Sequence, residues 1–229
     1  MTNHMNRLII LCSMLLFSAA TIKAQTYDTE IDFGLNVKYS SVRFSEVDKK
    51  EVEDQGGTFE SYGLSFGTFL QLRVNHFYFQ PELIYTRVSS KLGNQLGGGP
   101  YNYGEYDFIF HSIELPLLLG YRTSFGNTAF RVGGGIVFSF LAKTTGELYL
   151  EPGPEVRDIP QEELDAFNNV TLGSRLGIGA DFGAFLFDLV YERSFSKVGE
   201  EIARQTPVVA GNESSWIISV GYKLVRVKR

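Results

Sequence analysis

The residues in this sequence that could do chemistry are charged side chains set singly inside apolar alternations. They are Lys38, Glu82, Glu114, Arg131, Arg175, Asp181, Asp188, Glu192 and Lys223. All fall on the polar side of a two-residue period. Carboxylates and cations sharing one face could pass protons or ions, or they could neutralise one another as a structural core. We expect the second, because a narrow enclosed interior must be filled and buried charges need partners. Glu82 and Glu114, on adjacent predicted strands, should meet Arg131 or Arg175. His76 and His111 are the histidines beyond the N-terminal segment. His111 could activate a serine such as Ser112 or Ser139. Residues 111 and 112 leave a strand on opposite faces, so that pair fails. No triad converges, and no catalytic residue is assigned. No ligand cluster supports a metal, and no cofactor is expected.

The period that carries these charges predicts eight strands. Their apolar residues run Ile31–Tyr39, Tyr62–Leu72, Phe77–Tyr85, Ile113–Tyr121, Phe130–Phe140, Val170–Ile178, Phe185–Tyr191 and Trp216–Leu224. The connections alternate in length. Polar or Gly-rich stretches around 45–58, 88–106, 143–168 and 195–214 alternate with tight links at 73–76, 123–127 and 182–184. Pro152 to Phe167 could start a short helix in the longest loop. An up-and-down meander then puts every long loop at one end and every tight turn at the other. Transmembrane barrels of the bacterial outer membrane are built this way.

The N-terminus supports export. Arg7 and the apolar stretch Leu8–Ala20 have the charge and length of a signal peptide, with cleavage expected after Ala24. Cys12 lies inside that apolar stretch, so lipidation is not expected and residues 25–229 contain no cysteine. Those residues form the expected barrel domain. The net charge of -5 gives no reason to expect nucleic-acid binding. No later apolar run is long enough for a transmembrane helix, so any crossing must be made by a closed barrel.

Alternation alone also fits a soluble barrel with its faces exchanged. Two features favour lipid outside. The polar face is rich in glycine, at 34, 63, 67, 120, 133, 135, 173, 177, 179 and 221. Small residues suit a crowded interior, and glycine weakens a water-facing strand. Tyr39, Tyr62, Tyr85, Tyr121, Tyr191 and Trp216 sit at apolar-face strand ends. There they would form an interfacial aromatic girdle. The fold class expected is all-β: an eight-stranded antiparallel up-and-down transmembrane β-barrel.

Phe79-Gln80-Pro81-Glu82-Leu83-Ile84-Tyr85 resembles the third-strand motif of the PorT-like outer-membrane β-barrel family. Residues Ile113 to Tyr121 resemble its fourth strand, and Ser219 to Leu224 its closing strand. The resemblance implies the barrel fold, the outer membrane and no fixed activity. Its namesake belongs to a type IX secretion apparatus. Such barrels usually end in an aromatic residue; here Leu224 stands in that place, with Val225 to Arg229 beyond it. A non-enzymatic structural, surface-interaction or adhesive role is expected. Membrane lipid and the barrel-assembly machinery are the expected partners, with a protein partner reached through the extracellular loops. The alternatives are membership of a secretion or surface-assembly complex, or a lipid-modifying enzyme.

Overall fold

The computed structural model describes residues 28–44, 58–95, 103–151, 155–159, 168–197 and 212–228. The predicted signal peptide lies outside them. Eight long strands make the wall: β1 (Thr29–Phe44), β2 (Thr58–Val74), β3 (Phe77–Gln95), β4 (Tyr103–Phe125), β5 (Thr128–Glu151), β7 (Val170–Phe182), β8 (Phe185–Lys197) and β9 (Asn212–Lys228). A short strand, β6 (Glu155–Asp158), pairs with the outer end of β5. Every pairing is antiparallel, each long strand pairs with the next long strand in the chain, and β1 closes the ring on β9. Among the described residues no helix is long and apolar enough to cross a membrane.

The register fixes the shape. Partners followed once round run Thr29, Val74, Phe77, Tyr121, Val132, Ile178, Leu189 and Ile218. The circuit re-enters β1 at Tyr39, ten residues beyond its start. Eight strands with that stagger tilt by about 40° and leave an interior just wide enough for side chains.

The tight links have a local cause. Asn75, Gly126 and Gly183 hold positive φ (54°, 60° and 62°) at the first residue of two-residue turns. That is the sign a type II′ hairpin requires, and it matches the strand twist. Asn75 also accepts a bond from the Asp28 amide at 3.3 Å, tying the first hairpin to the chain's entry into β1.

The faces sort as lipid would demand. Leu35 (48% exposed), Phe66 (61%) and Ile178 (61%) point outward, whereas Lys38, Glu82, Arg175 and Asp181 are buried. Apolar groups outside and charges inside reverse the order of a soluble protein, which excludes the exchanged arrangement.

Several boundaries differ from the sequence expectation. β3 and β4 run well into the stretch 88–106 that was expected to be a loop. β5 extends to Glu151, and β6 lies where a helix was expected to begin. β9 does not end at Leu224: a bulge there lets the strand continue, with Val225 opposite Phe33 and Val227 opposite Ile31. The outer segments alternate too, but with charges outside instead of apolar residues, so the apolar signal stops early.

Gly120 and Gly133 make room for Tyr78. A Cβ at either position would collide with the Tyr78 ring or its hydroxyl. Gly126 has nothing near it. Gly120→Val should therefore lower unfolding free energy by about 1–3 kcal/mol in detergent-refolded protein, and Gly126→Asn by under about 0.5 kcal/mol. Equal losses at the two sites would contradict this packing.

Candidate functional site

The two-residue period delivers every interior charge to one narrow lumen, and the stagger decides which of them meet. Arg175, from β7, lies at the centre of the upper cluster. Its Nε donates to Glu192 at 2.7 Å and its Nη2 to Glu114 at 3.0 Å, while Nη1 lies 3.7 Å from Glu82. Lys38 reaches Glu82 at 2.5 Å, and Gln80 donates to Glu82 at 2.7 Å.

Arg131 does not join this cluster. It lies nearer the tight turns, where it donates to Asp181 at 2.5 Å and to Asp188 at 2.8 Å. Lys223 bridges Asp181 (2.9 Å) and Asp32 (2.8 Å), and Arg122 adds a contact to Asp181 at 3.1 Å. Arg226 then joins Asp32 (3.0 Å) and Glu30 (2.8 Å), and Glu30 meets Arg73. Arg73 also holds Asp28 at 3.1 Å. Glu82 and Glu114 thus meet at Arg175, while Arg131 serves a separate pair of aspartates.

Glu30, Asp32, Arg73, Arg122 and Arg226 were not singled out from the sequence. Glu30, Arg73 and Arg122 keep the inward parity of their strands just past the apolar stretch, so extending the period would have found them. Asp32 stands on the polar side within Ile31–Tyr39, and Arg226 is hidden by the bulge at Leu224, which reverses the parity.

These groups fill the lumen. Arg175, Asp181 and Lys223 are each 5% exposed or less, which a water-filled channel would not allow. Above Arg175 a recess of about 740 Å³, including its mouth, opens away from the tight turns. Glu114, Glu192, Glu213, Val88, Phe110 and Val137 line parts of it. A smaller gap beside Tyr78 and Ser219 separates the two clusters.

The histidine chemistry does not assemble. Ser112 and Ser139 line the recess. His111 is on the outer face, hydrogen-bonded through Nδ1 to Tyr85 Oη at 2.5 Å. His76 lies in the first turn and stacks on Tyr121 with centroids 5.3 Å apart. Among the described residues no group of three or more acidic, histidine or cysteine side chains could hold a metal.

The aromatic residues form two belts on the outside. With the strand tilt, Tyr39, Tyr85, Tyr191 and Trp216 come to nearly one height, and Tyr62 lies slightly above them. Tyr191 packs on Trp216 at 5.2 Å. Tyr121 belongs to the opposite belt, near the turns, with Phe77 at 5.6 Å. Phe130, Phe182, Phe185 and Tyr222 complete that lower belt, and the sequence reading did not include them.

The chain that forms this tilted closed barrel matches a family model, the outer membrane protein beta-barrel domain, over residues 23–199. The chain belongs to that family. It is an outer-membrane β-barrel protein, and the cell outer membrane is its location. No curated protein sequence matches it. Among solved structures it resembles Neisserial surface protein A (14% identity, 86% of this chain and 97% of that one, TM-score 0.40). It also resembles Ail, the attachment invasion locus protein of Yersinia pestis (13%, 87% and 99%, TM-score 0.37). A third is the outer membrane enzyme PagL (8%, 82% and 98%, TM-score 0.43). Likenesses this distant concern the fold alone.

The upper cluster of this outer-membrane barrel sets two cations, Lys38 and Arg175, against three carboxylates, Glu82, Glu114 and Glu192. Removing Arg175 strands buried carboxylates. Arg175→Met should cost about 3–5 kcal/mol of folding free energy by denaturant titration in detergent, and adding Glu114→Gln and Glu192→Gln should recover part of the loss. A loss of under about 1 kcal/mol for the single variant would contradict a stabilising role.

Proposed function

We propose that this protein is a non-enzymatic display barrel, a filled transmembrane cylinder that holds a folded sheet outside the cell for adhesive contact. The observation that carries this reading is the asymmetric overshoot of the wall. β4 and β5 have 23 and 24 residues, β7 and β8 only 13 each. Ladder pairing of β5 with β7 stops at Phe140 opposite Val170, with the Leu141 amide still donating to the Asn169 carbonyl, so residues 142–151 continue beyond β7. At this tilt that projection is roughly 25 Å long.

The projection has a core of its own. Phe108 (2% exposed) stacks on Phe110 with centroids 6.3 Å apart, and Ile159 lies over Gly146 beside Phe108. Its outer face is charged. Lys91 bridges Glu105 at 3.2 Å and Asp107 at 3.3 Å, and those two bonds hold its ammonium above the ordinary lysine value. A loop meant only to connect strands needs neither a core nor an ordered polar face. A rigid polar platform suits recognition, because little ordering entropy is lost on contact.

The motifs at 79–85 and 113–121 support placing the chain among PorT-like members. Removal of residues 1–24 on export and insertion by the barrel-assembly machinery complete the proposed route to the membrane.

The test replaces 91–107 and 145–158 with short turns. Expressed in a non-adherent strain, the full chain should confer attachment to at least one of a panel of cell, polysaccharide and protein surfaces. The trimmed barrel, matched for heat-modifiable folded protein, should confer none. Equal attachment by both forms, or none by the full chain, would contradict the display role.

A further inference from the structure

Just beyond the upper aromatic belt the outward residues of three neighbouring strands are all basic. Arg87, on β3, is the next outward residue past Tyr85. It lies directly opposite His111 of β4, and His111 lies directly opposite Lys143 of β5. Direct cross-strand neighbours have Cβ atoms about 5 Å apart, so Arg87 and Lys143 stand about 10 Å from each other on either side of His111. Among the described residues neither Arg87 nor Lys143 has an ion-pair partner, and both are exposed. The carboxylates outward on the same strands, Asp107 and Glu147, are four positions further out, roughly 13 Å along the strand. Lys91 engages Asp107 there. Arg43 and Arg193, both exposed, flank Ser214 at a similar height elsewhere on the wall and carry the same sign.

His111 can take part as a neutral donor. Its Nδ1 lies 2.5 Å from Tyr85 Oη, and in the neutral tautomer in which Nδ1 accepts from that hydroxyl, Nε2 carries the ring proton and donates. Beneath the row lie Ile113 and Phe140, both outward and exposed, where acyl chains would run. Arg87 and Lys143 therefore flank His111 at the depth where lipid headgroups begin, with no ion-pair partner for either among the described residues.

We propose that Arg87, His111 and Lys143 form a binding site for the phosphate of an anionic lipid headgroup in the outer leaflet. Two cations and one neutral donor, spaced along three strands, can surround one phosphate, while the apolar band below accepts its acyl chains. A soluble anion would gain the first contact but not the second.

The test uses the full chain, extracted from outer membranes and delipidated in detergent. It is titrated with bis-phosphorylated lipid A, dioleoylphosphatidylglycerol or dioleoylphosphatidylcholine, and bound lipid is counted by native mass spectrometry. The two anionic lipids should be retained over the zwitterionic one. Arg87→Gln with Lys143→Gln should lower anionic retention by about tenfold, since each cation near an anionic lipid contributes to binding. Arg87→Lys with Lys143→Arg should keep it, as should Lys91→Gln, which lies outside the row. Should the double glutamine variant not fold, the single R87Q and K143Q variants, each expected to lose about threefold, serve instead. Equal retention of all three lipids by the wild type, or unchanged retention after charge removal, would overturn the site. Complete displacement by millimolar inorganic phosphate would also overturn it, by assigning the row to a soluble anion.

Discussion

A backbone amide in hydrocarbon has no water to turn to, so a sheet that crosses a membrane must close on itself. Here closure is the pairing of β1 with β9 along nearly their whole length. Once eight strands close with a ten-residue stagger, the interior is too narrow for bulk water and too long to leave empty. The glycines on the inward face and the ion pairs among them are two consequences of that one constraint. Glycine admits the large groups, as Gly120 and Gly133 do for Tyr78, and the charges neutralise what the period places inside.

The interior charges form two clusters that differ in character. The one near the turns is balanced: Arg73, Arg122, Arg131, Lys223 and Arg226 face Asp28, Glu30, Asp32, Asp181 and Asp188. The upper cluster has more carboxylates than cations, and the recess above it adds Glu213. Buried pairs of this kind are weak evidence for added stability, but breaking one leaves a charge stranded. Their effect is to hold each strand at one height against its neighbours. A barrel wall has few other means of fixing register, because its outer face meets only fluid lipid.

Much of the wall was legible because lipid imposes a strict period. Ile31 to Tyr39 and Trp216 to Leu224 alternate cleanly, and their strands lie there. The outer ends of β3, β4 and β5 were not legible. Lys91, Glu105, Asp107 and Glu147 replace apolar residues on the outward face, so the pattern of greasy side chains ends while the strand continues. Which charges meet was only partly legible. The period tells that Arg131 and Arg175 share a face, yet their heights depend on the stagger, which no local signal carries. The continuation of β9 past Leu224 was hidden for a similar reason: one bulge changes the parity, and Val225 and Val227 then read as a tail.

Residues 25–229 contain no cysteine, so in a chain begun at Gln25 single labels can be placed without background. The most direct measurement puts a fluorophore in turn on cysteines at 35, 36, 37 and 38 of the barrel in lipid vesicles and records quenching by a lipid-borne nitroxide. Strong quenching at 35 and 37, with little at 36 and 38, is the result expected if the apolar face meets acyl chains. The reverse alternation, or none, would contradict the inside-out arrangement from which the rest is derived.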